Sequence, residues 1–522
     1  MQQQISLKLL PSEAANDIII KGYIAAAAGV ATSSITGYRF IKKSIDARAK
    51  TIWVNCTLHA FINEPFQQRE IQQFNFRDIS KATKRVVIIG AGPGGIFAAL
   101  QLIERGIKPI ILERGKDVRA RRRDLATLNK EGVVNPDSNY CFGEGGAGTY
   151  SDGKLYTRSN KRGDIDRILN LFVRFGADEK ILYEAHPHIG TNKLPHIITA
   201  MRQQITDCGG EFLFEKKVTD FIIKDDKIES VKTADGDLFT ANAFILATGH
   251  SARDIFALLH QKKIIIHAKP FALGVRIEHP QELIDSCQYK SNAGNIALPP
   301  SSYSLVQQVN GRGVFSFCMC PGGIIAPAAT AANELVVNGW SPSKRNNPFA
   351  NSGMVVSVDI VDAVKELKKA NSALTMMEFQ QAVEQKCFAA GGGKLVAPAQ
   401  RMVDFSDGKI SSSLPACSYK PGLNSVNIKE ILPHFIYQSL AKAFVVFGKK
   451  MKGYYTNDAV VVATESRTSS PVRIPRNTDT LFHPQIKNLY PCGEGAGYAG
   501  GIVSAAMDGE RIAKQYANTL IF

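Results

Sequence analysis

Three glycines, Gly90, Gly92 and Gly95, stand in GxGxxG spacing directly after the β-branched run Val86, Val87, Ile88 and Ile89. Residues in this pattern bind phosphate with main chain alone. The first glycine permits a tight turn, the second lets backbone approach a pyrophosphate, and the third lets a following helix pack close to the strand. Ala91, Pro93 and Gly94 complete the loop. A helix over about Gly94–Arg105 would aim its N–H groups and positive dipole end at the phosphates, and Gly106 ends it as a C′ residue. A second strand, Pro109–Leu112, leads to Glu113, 23 residues after Gly90, where a carboxylate can accept from ribose hydroxyls, and Arg114 follows it. The stretch 85–113 thus reads as a complete dinucleotide-binding βαβ unit.

Two later segments return to the same pattern. Ala243–Asp254 is an apolar strand followed by the small-residue turn Ala247, Thr248, Gly249, where backbone can pass close to a cofactor. In Leu489–Ile512 a short strand enters a glycine-dense turn with Gly493 and Glu494, and an Ala-rich helix opens at Gly500, Gly501 and Ile502. That helix start is a second place to hold flavin oxygens or phosphate through N–H groups. A NAD dehydrogenase would run from its first unit into a catalytic domain. A chain that returns twice to the same sheet points to FAD.

Side chains for chemistry beyond binding are fewer. Cys320 in CMCPGG and His250 in ATGH are the candidates, each with a plainer alternative: a small buried hydrophobe and a hydrogen-bonded loop residue. Cys318 and Cys320, two apart, are poorly spaced for a disulfide in regular structure and are expected to alternate faces of a strand. Gly143–Gly148 repeats the GxGxxG spelling with no strand–helix unit around it. It is expected to be a close-approach loop beside isoalloxazine or pyrophosphate, followed by Ser151, Asp152 and Lys154. Arg119, Arg121, Arg122 and Arg123 lie either near the phosphates or on a solvated helix face. Gly391–Lys394 is no P-loop, because the upstream glycine and the following Ser/Thr are missing.

With those residues in view, the chain resembles the uncharacterised FAD-dependent dehydrogenase family of the glutathione-reductase-like flavoproteins. The resemblance is carried by Gly143–Leu155, Ala247–Asp254, Lys269–His279, Phe317–Gly323 and Cys492–Ile502, and in the N-terminal region by Ile35–Arg48. It implies FAD binding and oxidoreductase activity and supplies no substrate. By position in related flavoproteins, Glu494 would accept from the ribityl chain and Val218 would neighbour the adenine. Disulfide reductases of that superfamily carry a cysteine pair about five residues apart soon after the first glycine motif. Here Cys141 stands alone, 51 residues after Gly90, so disulfide reduction by that arrangement is not expected. A second GxGxxG-led unit is missing, so NAD(P)H is expected only as a transient electron donor.

The elements that must position these residues give an α/β fold: a discontinuous Rossmann-like FAD-binding domain, an inserted α+β substrate domain and a small N-terminal α/β domain. The boundaries are 1–80 for the N-terminal unit, 81–255 and 485–522 for the FAD domain, and 256–484 for the insertion. At 522 residues and 44% hydrophobic, the chain is long enough for several cores. Nine scattered cysteines without a CxxC…CxxC pattern indicate reduced thiols and no metal. No run of 18 apolar residues is present, so no membrane span is expected. Gly22–Thr32 follows Glu13, Asp17 and Lys21 and reads as a small-residue helix, not a signal segment. The chain is expected to be cytoplasmic, with a small-molecule substrate as its partner. The net charge of +16 raises an RNA-modifying flavoenzyme as an alternative, but the basic residues are dispersed without aromatic interleaving. A non-enzymatic FAD-binding protein is the other alternative.

Overall fold

Val86, Val87 and Ile88 are fully buried and Ile89 nearly so, which explains why a five-residue strand can anchor the fold. Each such side chain contributes about 1.5–3 kcal/mol on leaving water, and a strand apolar on both faces belongs in the middle of a parallel sheet. In the computed structural model, which describes residues 1–157 and 163–520, Arg85–Ile89 is the central strand of five. The order is Leu489–Pro491, Ala243–Leu246, Arg85–Ile89, Lys108–Leu112, Glu211–Leu213, and every neighbouring pair is parallel. Helix Pro93–Glu104 follows the glycine turn, and helix Ile502–Asn518 packs against it. The two approach so closely that a Cβ on Gly509 would lie 2.0 Å from the Gly94 carbonyl oxygen.

A three-stranded antiparallel sheet, Val218–Lys224, Lys227–Thr233 and Leu238–Thr240, stands between the third and fourth crossings of the parallel sheet. Its turns fall at Asp225-Asp226 and at Asp235-Gly236.

Beyond helix Arg253–Gln261, strand His267–Ala268 pairs antiparallel with Val472–Arg473, so the outgoing and returning chain lie side by side. Between them a seven-stranded sheet is built in the order Val306–Val309, Arg312–Cys320, Phe349–Val358, Phe271–Pro280, Val460–Glu465, Ala397–Arg401, Leu423–Ser425. Its central strands are buried along nearly their whole length, and helices His434–Lys450 and Thr375–Gly391 cover it.

The N-terminal unit comprises strands Gln2–Leu9, Ile35–Asp46 and Trp53–Ile62 with helix Asp17–Ala28. Trp53–Ile62 is the middle strand. The helix starts at Asp17, because Asn16 caps the N–H groups of Ile18 and Ile19 and fixes the first turn. The outer strand bonds into the body of the chain: Lys43 N–H donates to Tyr183 O at 2.8 Å, and Phe40 stacks on Tyr183.

Candidate functional site

The three glycines of the first turn have separable jobs. A Cβ on Gly90 would lie 2.5 Å from Ala247 O, and one on Gly95 would lie 2.0 Å from Gly90 O. Both glycines therefore serve packing. Gly92 differs: a Cβ there meets only Gly146 Cα, at 4.0 Å, and Gly92 faces a cavity of about 370 Å³. The helix that begins at Pro93 has no side-chain cap, and neither has the one beginning at Ile502. Gly92, Pro93, Gly94, Gly501 and Ile502 line the same cavity, so two helix starts with orphan N–H donors open onto it.

Glu113 organises the loops around this space. Its carboxylate, 4% exposed, accepts from the N–H groups of Ala91, Gly115 and Gly143, each at 2.9 Å. Three donors use three of its roughly four acceptor positions, leaving one for a ribose hydroxyl. The Gly143–Gly148 loop is held from behind by Arg121, whose guanidinium donates to the carbonyls of Asn139, Tyr140, Glu144 and Gly146 at 2.8–2.9 Å. Arg121 is thus neither a phosphate ligand nor a solvated residue. Its burial is compensated because four carbonyls take its donors. Arg119, Arg122 and Arg123 do lie on the exposed face of helix Val118–Glu131.

The cavity gathers nearly all the residues singled out by sequence: Gly90, Ala91, Gly92, Pro93, Gly94, Glu113, Arg114, Val218, Ala247, Thr248, Gly249, His250, Gly493, Glu494, Gly500, Gly501 and Ile502. Gly95 sits behind the turn and lines nothing. Arg114 is fastened by ion pairs to Asp254 and Asp137 and lies 4.4 Å over the Phe142 ring. The Gly493 N–H donates to Asp508 Oδ2 at 2.8 Å, and Arg476 grips the same carboxylate. Thr248 Oγ1 is buried without a protein partner.

Of the two catalytic candidates, Cys320 is displaced. It is fully buried and does not line the cavity, whereas Cys318 does. The expected alternation of the two cysteines also fails. Residues two apart on a pleated strand share a face. A bulge between Phe317 and Cys320, with Cys318 at φ 46°, then turns both sulfurs toward one amine. His250 lines the cavity and contacts Ser251 Oγ at 2.9 Å through Nδ1. Burial first, then Arg467, pulls the His250 pKa down to about 4, so at neutral pH the ring is uncharged and its 3.8 Å approach to Glu494 is a polar contact, not an ion pair.

Glu494 is pushed up to about 7 by burial, against the Gly501 N–H that favours its charge. The folded protein therefore keeps a proton here that the unfolded chain has lost, and stability falls as pH rises from about 4.5 to 7. Glu494→Gln is expected to stabilise the FAD-free protein by about 1–2 kcal/mol at pH 8, after allowing for solvent at the carboxyl, and negligibly at pH 4.5. Denaturant unfolding at both pH values checks this, and equal effects at the two would refute it.

Several lining residues had no signal in the sequence reading: Asn338 comes from strand Val337–Trp340, and Arg467 and Thr468 from the segment after strand Val460–Glu465. Among the described residues no cluster of His, Cys, Asp and Glu is suited to a metal, and no helix is long and apolar enough to cross a membrane.

A pyrophosphate cradle on a parallel sheet, a carboxylate with one vacant acceptor and two uncapped helix starts around one cavity define a dinucleotide-cofactor protein. Comparison with known proteins narrows the class. The FAD-dependent protein, C-terminal domain-like family matches residues 270–468, and a domain of unknown function matches residues 1–61. A Clostridium beijerinckii protein of uncharacterised function is 40% identical over 492 residues, covering 91% of each chain. The chain belongs to this family of FAD-dependent flavoproteins, and FAD is its cofactor. Among solved structures, L-proline dehydrogenase from P. horikoshii is similar at 12% identity and TM-score 0.33, covering 84% of this chain and 94% of that one. CtdE in complex with FAD is similar at 9% identity and TM-score 0.30, covering 84% and 89%.

Proposed function

We propose that the protein is an FAD-dependent oxidoreductase acting on a small or lipid-like organic substrate. The observation that carries this reading is the shared cavity. Its cofactor cradle, from Gly92, Glu113 and the two helix starts, is continuous with Phe317 and Cys318 of the seven-stranded sheet and with Asn338 of the neighbouring strand Val337–Trp340. FAD bound in that cradle supplies hydride transfer. The protein's part is binding, orientation and electrostatics.

Gly92, Gly94 and Ile502 offer the phosphates backbone N–H groups and uncapped dipole ends. Glu113 offers its free acceptor position to the ribose. Thr248 has an unpaired hydroxyl to give or accept at the cofactor. His250, neutral, and Glu494, with its carboxyl near 7, can hold or move a proton near neutral pH. Nicotinamide has no cradle of its own in this reading and docks only transiently.

The RNA-modifying alternative rests on net charge alone. The lysines at the cavity rim, Lys216 and Lys217, are already paired with Asp235, Asp237 and Asp137.

The test is the visible spectrum of the purified protein, followed anaerobically as NADH and then NADPH are added. Flavin bands that bleach are the expected result. Bands that persist with both donors and with every reductant screened would support the non-enzymatic reading. A protein that stays colourless after reconstitution would overturn the proposal.

A further inference from the structure

The amine of Lys154 sits between two thiols. Its Nζ is 3.7 Å from Cys318 Sγ and 3.7 Å from Cys320 Sγ, and it also donates to Met319 O. Arg276, fully buried, adds a second cation: its Nη2 is 3.5 Å from Cys320 Sγ and 2.8 Å from Cys318 O, while Nη1 pairs with Glu465 at 2.6 Å. Cys318 is partly exposed and lines the cavity; Cys320 is fully buried behind it. This is the electropositive, half-open setting in which thiols react, with a second thiol in reach.

We propose that Cys318 and Cys320 are a reversible dithiol–disulfide pair, Cys318 attacking at the cavity and Cys320 resolving from behind, with small disulfides as the substrate class. The assignment rests on the oxidoreductase reading above and narrows its substrate. In the first step Cys318 sulfur displaces one thiolate from the disulfide and forms a mixed disulfide. Cys320 then attacks Cys318 sulfur, loses its proton to the departing thiolate, and closes the internal disulfide. Two protein thiols and one small disulfide become one protein disulfide and two small thiols, a two-electron transfer to the substrate. Reduced flavin is the reductant that restores the pair.

The electrostatics agree with these roles. The hydrogen bond from Cys320 holds the Cys318 thiol well below its usual value, burial opposes this, and Lys154 and Arg276 reinforce it. The same contact and burial push Cys320 up. Burial works against the Lys154 charge, but Cys318, Cys320 and Asp152 outweigh it and keep the amine protonated.

The test uses the purified full-length protein and mass spectrometry, so its outcome is independent of flavin reduction. Cys318 alkylation by iodoacetamide is expected to slow less than threefold from pH 8.5 to 6.5, where an ordinary thiol slows about fiftyfold. Lys154→Gln should cost about tenfold at pH 6.5. With oxidised glutathione, wild type should become lighter by two hydrogens with Cys318 joined to Cys320, and Cys320→Ser should retain one glutathione on Cys318. Circular dichroism and the flavin spectrum verify that each variant is folded and loaded. An ordinary pH profile for Cys318, or the same stable mixed disulfide in wild type and Cys320→Ser, would overturn the pair. Loss of flavin bleaching with these results intact would instead count against the oxidoreductase reading.

Discussion

Gly92→Val is expected to give a folded protein that no longer holds FAD. Gly92 has φ −76° and ψ −176°, an extended conformation open to any residue, and a Cβ there meets nothing nearer than Gly146 Cα at 4.0 Å. A branched side chain can therefore be built without disturbing the protein, but it fills the space a pyrophosphate must enter. We expect affinity for FAD to fall at least about a hundredfold, roughly 3 kcal/mol, while FAD-free melting moves by no more than about 2 °C. The flavin-to-protein absorbance ratio after purification, with titration of added FAD, measures this. A variant that keeps stoichiometric FAD would remove Gly92 from the cradle. Gly95→Ala gives the opposite pattern. Its Cβ would collide with the Gly90 carbonyl at 2.0 Å and press Ile88 at 3.1 Å, so stability is lost along with binding. Two glycines three residues apart are thus separated by experiment into a ligand-facing one and a packing one.

The second large effect is expected far from the glycine turn. Glu384 is fully buried and accepts from Arg467 through Nε and Nη2, both at 2.9 Å, from Arg253 at 2.8 Å and from Ser466 Oγ at 2.6 Å. Glu384→Gln leaves two buried guanidinium groups without the charge that balances them. Breaking such a network from one side costs about 3–5 kcal/mol. Burial alone would raise the Glu384 pKa, but Arg253 and Arg467 outweigh it and hold it down at about 2. A depressed carboxyl contributes its full stability above the unfolded value near 4.3 and loses it as pH falls toward 2. The deficit of the variant should accordingly be full at pH 7 and shrink below about pH 4. Urea unfolding at both ends of that range measures it, and a loss under about 1 kcal/mol at pH 7 would show that Glu334 alone balances the arginines. Because Arg467 and Thr468 line the cavity, weakened FAD retention should accompany the loss.

The parts of the fold that sequence made legible are those whose cause is local. A β-branched run followed by glycines at fixed spacing dictates strand, turn and helix within about twenty residues. The two returns, at Ala247 and Gly493, were readable because each repeats the logic of apolar strand and small-residue turn. Arg121 and the cysteine pair were misread for one reason. What each touches is set by chain far away in sequence or by a single bulge, and neither leaves a periodic trace. Four carbonyls around Arg121 and the amine of Lys154, more than 160 residues from Cys318, are arranged by packing.

By itself, then, the sequence determined the phosphate-binding turn, the acid at the end of the next strand, the glycine-opened C-terminal helix and hence the kind of cofactor, because those depend on backbone freedom and strand burial within one supersecondary unit. Only the tertiary structure decided that Gly92 faces the cavity while Gly95 does not, that Cys318 and not Cys320 reaches it, and that Arg467 and Asn338 share it. Those outcomes depend on how the seven-stranded sheet is set against the parallel one, a long-range arrangement governed by the fit of buried side chains and the pairing of buried charges.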